Sequence, residues 1–187
     1  MFGGLLIDEL TDTYSKYWVN FLSAYRNEGI NFYALTLQNE PDFENDGYPS
    51  MLLRPYQQQA LAKRLRYDLI AAGFENTKIL VHDHNWDIWE QPMEVLSDPE
   101  AKAAIDGTAW HCYGGDMNVL INHIYIEYCP AVISLSAGFC IFGLTGAQRG
   151  SQRPPRQGDL FHGVHWYICV QLMAGQLQME YAQFVYG

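Results

Sequence analysis

The sequence predicts an α/β protein with parallel strands, and three observations carry that prediction. Amphipathic helical patterns alternate with short apolar runs, each run gives way to polar residues where it ends, and the alternation stops after Gly115. About three βα steps can be drawn, followed by an irregular C-terminal segment.

Residues 12–28 place Tyr14, Trp18, Phe21, Leu22 and Tyr25 on one helical face, with Gly29 as the stop. Phe32 to Leu37 is a short aromatic and apolar run that ends in Gln38-Asn39-Glu40-Pro41, as a buried parallel strand followed by a loop should read. Pro55 opens a second helix through Leu61, Leu65 and Leu69, stopped by Gly73. Lys78 to Asp83 is the next strand, residues 92–104 a third helix, and Gly107 to His111 a third strand. Beyond Gly115 no further βαβ unit can be drawn.

Composition narrows the function classes. The net charge of −10 disfavours nucleic acid and anionic membrane surfaces, which need clustered Lys and Arg. No apolar run is long enough to span a bilayer, and the N-terminus shows no signal peptide. Residues 1–116 carry 18 acidic and 8 basic side chains, against 3 and 3 in 117–187, so the whole charge sits in the first part. That asymmetry coincides with the loss of periodicity and divides the chain into a domain over 1–116 and an aberrant segment over 117–187. Cys112, Cys129, Cys140 and Cys169 show no zinc or redox spacing and no disulfide framework.

Catalytic side chains of parallel α/β barrels come from the C-terminal ends of strands. Three such ends are readable, offering Asn39 and Glu40, then Asp83, His84 and Asn85, then His111 and Tyr113. Hydrolysis of a glycoside with retention needs two carboxyl groups about 5–5.5 Å apart, one a general acid and one a nucleophile. Glu40 suits the first role, with Asn39 beside it to bond a sugar hydroxyl and Pro41 to stiffen the loop. His82 and His84, two apart on a strand, share a face, but no third ligand stands at metal spacing, so no metal is expected. Trp86, Trp89 and Trp110 either stack on sugar or fill the core, and core is the plainer reading for each.

Tyr33-Ala34-Leu35-Thr36-Leu37-Gln38-Asn39-Glu40-Pro41, Gly47-Tyr48-Pro49 and Ala109-Trp110-His111-Cys112-Tyr113 together resemble glycoside hydrolase family 30, the glucosylceramidase-like enzymes. The likeness runs from about Asp12 to Gly115 and implies the fourth to sixth βα steps of a (β/α)8 TIM barrel. A whole barrel needs about 250 residues, so a fragment is expected here. The resemblance implies that Glu40 is the acid/base, that Asn39 contacts the sugar, and that Tyr48, Asp83, His111 and Tyr113 line or support the pocket. It implies a carbohydrate or glycolipid substrate, glucosylceramide or a related β-glucoside, no cofactor, and a secreted or lysosome-like location. β-1,6-Glucan and xylan are alternatives on the same fold, and a non-catalytic carbohydrate-binding fragment is the alternative from another class.

The family's nucleophile, a Glu in a Phe-Thr-Glu-Cys-like stretch, has no counterpart in this frame. Read one nucleotide later, however, Asp159-Leu160-Phe161-His162-Gly163-Val164 can encode Ile-Tyr-Phe-Thr-Glu-Cys. Gln148 fits a CAG splice acceptor and Leu144-Thr145 a CTGAC branch point. The expectation is that codons from near Asp116 to Gln148 are an unspliced intron, and that those beyond are a true exon in the wrong frame.

Overall fold

Helix α1 occupies Thr11–Asn27 because its apolar residues return every three to four positions, and Trp18 and Leu22 on that face are buried. The computed structural model describes residues 3–45, 47, 50–111 and 113–116, together with the backbone of 164–173 and 176–185. The helix ends at Gly29, and the chain enters strand β1, Ala34–Thr36, which is wholly buried. Helix α2, Pro55–Ala71, starts with proline at its first turn, where no intrahelical N–H is lost, and lays Leu61, Leu65 and Leu69 against α1 and the sheet. Each such buried leucine contributes roughly 1.5–3 kcal/mol of transfer free energy.

Strand β2, Lys78–Asn85, lies between β1 and β3, Gly107–His111, and all three are parallel. Among these three strands, neighbours in sequence are neighbours in space, as in a slice of a barrel. Asp106 fixes the foot of this slice. Its carboxylate accepts from the Ile79 N–H at 2.9 Å and from Lys78 Nζ at 3.0 Å, and it is also paired with Arg66 of α2.

The third helix departs from the sequence reading. It is two helices, α3 over Glu90–Leu96 and α4 over Pro99–Ala104. Pro99 disfavours helical backbone at Asp98, and Asp98 instead caps α4 by accepting from the N–H groups of Glu100 and Ala101, both at 2.9 Å.

A second departure lies in the C-terminal segment. Strands β4, Val164–Met173, and β5, Gln176–Val185, form an antiparallel hairpin, and β4 pairs in parallel with β1 through Ala34↔Cys169 and Leu35↔Val170. The alternation Gln176-Leu177-Gln178-Met179-Glu180-Tyr181 after the two-residue link Ala174-Gly175 is an antiparallel signal, which a search for βα steps passes over. The edge of β1 that a bare three-step slice leaves open is paired. No described helix is long and apolar enough to cross a membrane.

Candidate active site

The three parallel strands deliver their polar residues to one end, and hydrogen bonds tie those residues together. Glu40 follows β1, and its N–H donates to the Asp83 carbonyl of β2 at 3.0 Å. The Glu40 carbonyl accepts from the Phe43 N–H at 2.8 Å, and the Leu53 N–H closes the loop on Pro41 O at 2.9 Å. The backbone of Glu40 is therefore held from both sides while its side chain keeps 19% of its surface open to solvent.

His111, the last residue of β3, bridges two carboxylates. Its Nδ1 lies 3.0 Å from Glu40 Oε1 and its Nε2 3.0 Å from Asp83 Oδ1. Thr36 of β1 donates its hydroxyl to the other Asp83 oxygen at 2.7 Å. Each strand thus contributes to one chain, Thr36 to Asp83 to His111 to Glu40. Burial favours the neutral His111 ring, but the hydrogen bonds to Asp83 and Glu40 outweigh it and raise the pKa to about 10. The His111 hydrogen bond in turn holds the Glu40 carboxyl below its ordinary value, against the opposing effect of burial.

Backbone strain concentrates here. Among the described residues the only non-glycines with left-handed backbone are Glu40, His82 and Asp83, with φ of 45°, 76° and 52°. Each such conformation costs about 1–3 kcal/mol and persists where surrounding contacts enforce it. In β2 the strain accompanies a register shift between His82 and His84, a bulge that breaks the alternation of side chains. This corrects the expectation that His82 and His84 share a face. His82 instead packs its ring 4.1 Å from that of Trp110, and burial lowers its pKa to about 3.

That neutral ring can donate only once, yet its Nε2 faces the Asn85 carbonyl at 3.1 Å and its Nδ1 faces Gln91 Oε1 at 3.2 Å. Both neighbours are acceptors, while Gln91 Nε2 is buried without a partner among the described residues. Turning the Gln91 amide by half a turn satisfies both groups at once: Gln91 donates to Nδ1 and Nε2–H donates to Asn85.

Tyr113 is 63% exposed, with its ring edge-on to His111 and its N–H on Asn85 Oδ1 at 3.1 Å. The loop that carries it turns back at Gly115, whose φ is 85°. A Cβ there would lie 2.3 Å from the Asp87 nitrogen, so only glycine fits. Trp86 stacks on Trp110 with centroids 5.2 Å apart, and both are buried, as the core reading expects. Asn39 is buried at the end of β1. Tyr48 lies outside the described residues.

The sequence offers His84 among the polar residues at the end of β2 without a role, and the structure brings it to the site. One ligand atom each from Glu40, His84 and His111 fall within 4.8 Å of one another, a spacing that suits a divalent cation. The donor set does not fit one in this arrangement. Both nitrogens of His111 are engaged by the carboxylates of Glu40 and Asp83, and His84 Nδ1 accepts the Asn85 N–H at 2.8 Å.

The titrations predict a stability optimum. An unfolded histidine titrates near 6.5, so the stabilisation from His111 is complete below about pH 6.5 and fades as pH rises to about 10. His82 acts oppositely: its contribution is complete above about pH 6.5 and fades toward about 3. Glu40, held low, adds stability that acid removes. Thermal melts from pH 4 to pH 10 are expected to peak at about pH 6–7. In His111→Gln the alkaline decline should vanish while the acid decline stays. A decline that persists in the variant would contradict the imidazolium bridge.

Comparison with known proteins places this geometry in a family. The family model for the glycosyl hydrolase family 30 TIM-barrel domain matches residues 2–135. An endo-1,6-β-D-glucanase of Aspergillus fumigatus is 33% identical over 119 residues, covering 64% of this chain and 24% of that protein. The lysosomal acid glucosylceramidase of Mus musculus is 34% identical over 110 residues, covering 57% of this chain and 21% of that protein. Among solved structures, the endo-β1,6-glucanase BT3312 superposes with a TM-score of 0.63 at 32% identity, over 72% of this chain and 30% of that one. The chain spans between a fifth and a quarter of the length of these two curated relatives. With a match over most of its length and a parallel three-strand slice that presents Glu40 at its C-terminal end, the chain belongs to the glycoside hydrolase family 30 TIM-barrel proteins.

Proposed function

We propose that this chain carries the acid/base half of a retaining β-glycosidase site, with Glu40 as the proton-transferring group. The observation that supports this most is the Asp83–His111–Glu40 chain, which holds a partly open carboxyl at the converging ends of three barrel strands. In the first step Glu40 gives its proton to the glycosidic oxygen as the C–O bond breaks and a second carboxylate bonds to the anomeric carbon. In the second step Glu40 takes a proton from water, whose oxygen displaces that carboxylate and restores the original configuration.

Asn39 in this reading bonds the sugar, Tyr48 and Tyr113 line the pocket, and Asp83 with His111 supports Glu40. Asp83 does not serve as the second carboxylate. It is 2% exposed, and both of its oxygens already accept hydrogen bonds. The low pKa of Glu40 fits the same view. With His111 as its charged neighbour it rests ionised, the form the second step uses. The acid form needs a further negative charge about 5–5.5 Å away, which raises it by like-charge repulsion.

That charge is the glutamate that the shifted frame of residues 159–164 encodes. Residues 1–116 are in this reading a partial barrel domain, 117–187 are an aberrant segment, and the chain as written does not turn over. β-1,6-Glucan is the substrate the named glucanases favour, and glucosylceramide is the second reading, favoured by the mouse relative. A secreted or lysosome-like location accompanies either.

The test is to incubate the full-length protein, in the native frame, with β-1,6-glucan and with glucosylceramide, and to follow the first sugar released by proton NMR. The β-anomer is expected first. Initial appearance of the α-anomer, or hydrolysis of neither substrate, would overturn the reading.

A further inference from the structure

We infer that His84 is a neutral hydrogen-bond donor to the sugar bound beside Glu40, with its proton held on Nε2 by the backbone of Asn85. The inference rests on the glycosidase reading of the site and adds a positioning residue to it. The Asn85 N–H donates to His84 Nδ1 at 2.8 Å, which commits that lone pair and leaves the ring's single proton on Nε2. Among the described residues no hydrogen bond engages Nε2. The residue is 6% exposed, and burial, the largest influence on its titration, favours the uncharged form together with His111, even though Glu40, Asp42 and Asp83 favour the charged one.

The geometry around the bulge explains why this ring is in the site at all. Consecutive residues of a regular strand point to opposite faces. Here Asp83 bonds His111, and His84 approaches both His111 and Glu40 within 4.8 Å, so two consecutive side chains serve one site. The left-handed backbone at His82 and Asp83 makes that possible. A structural role for His84 would be satisfied by its local bond to Asn85 and would not need a strained bulge. A donor beside a carboxylate and an imidazolium suits the hydroxyl groups of a sugar, since each hydroxyl can accept where Glu40 cannot donate.

The experiment labels the full-length chain with ¹⁵N-histidine, reads tautomers from long-range ¹H–¹⁵N correlations at neutral pH, and titrates with gentiobiose. His84 is expected in the Nε2–H form, with its Nε2 signal moving on addition of the sugar. His84→Leu should weaken gentiobiose binding about 3–10-fold, the loss expected for one neutral hydrogen bond. His84→Gln, whose amide can place a donor near the same point, should stay within about 2-fold. Unchanged His111 signals report an intact site in either variant, and the wild-type tautomer and titration decide the matter should a variant not fold. An Nδ1–H tautomer, equal losses in the two variants, or a sugar that moves His111 but not His84 would each overturn this inference alone. Absence of any response to gentiobiose would overturn it together with the glycosidase reading.

Discussion

Replacing Glu40 with glutamine in the native-frame enzyme is expected to lower turnover of β-glucosides with poor leaving groups by about 10²–10⁴-fold, the usual contribution of a positioned general acid. Glutamine keeps the size of the side chain and can still contact His111, so the fold should survive. The loss in kcat/KM, which reports the first step alone, should shrink with 2,4-dinitrophenyl β-glucoside, whose leaving group departs without a proton, and steady-state kinetics on the two substrates would show the difference. An equal loss in kcat/KM on both would move Glu40 from protonating the leaving group to some other role.

His111→Ala carries the largest expected effect on stability. Asp83, 2% exposed in the native protein, would keep only the Thr36 hydroxyl as a side-chain donor among the described residues, and removing one partner of a buried ion pair costs about 3–5 kcal/mol. For a protein of this size each kcal/mol lowers the melting temperature by about 2–4 °C, so a fall of roughly 6–20 °C is expected. Adding Asp83→Asn to His111→Ala should recover part of that loss, because the orphaned charge is gone. A double variant no more stable than His111→Ala would mean that Asp83 does not depend on the His111 charge.

The parallel slice was legible in the sequence because each of its elements repeats one signal: a helical stripe, a glycine stop, an apolar run, then polar residues. Glu40, Asp83 and His111 could be read as candidates from their place at strand ends. Their connection could not, because it joins residues 28 and 71 positions apart through a single imidazole. The place of His84 beside Glu40 and His111 was hidden by the bulge. Strict alternation puts it on the face opposite Asp83, and nothing in Val81-His82-Asp83-His84 announces a left-handed pair. The division of the third helix was announced by Asp98-Pro99, a cap followed by proline. The β4–β5 hairpin carried an alternating pattern, which the search for βα units set aside.

The central claim is that this chain holds one carboxylate of a two-carboxylate site and that the other lies in a displaced frame. Sequencing the mature transcript across the codons for Gly115 to Ser151 tests it most directly. The account predicts a shorter message, spliced near the Gln148 codon, whose continued frame reads Phe-Thr-Glu-Cys. A mature message that keeps every codon of this stretch would contradict it.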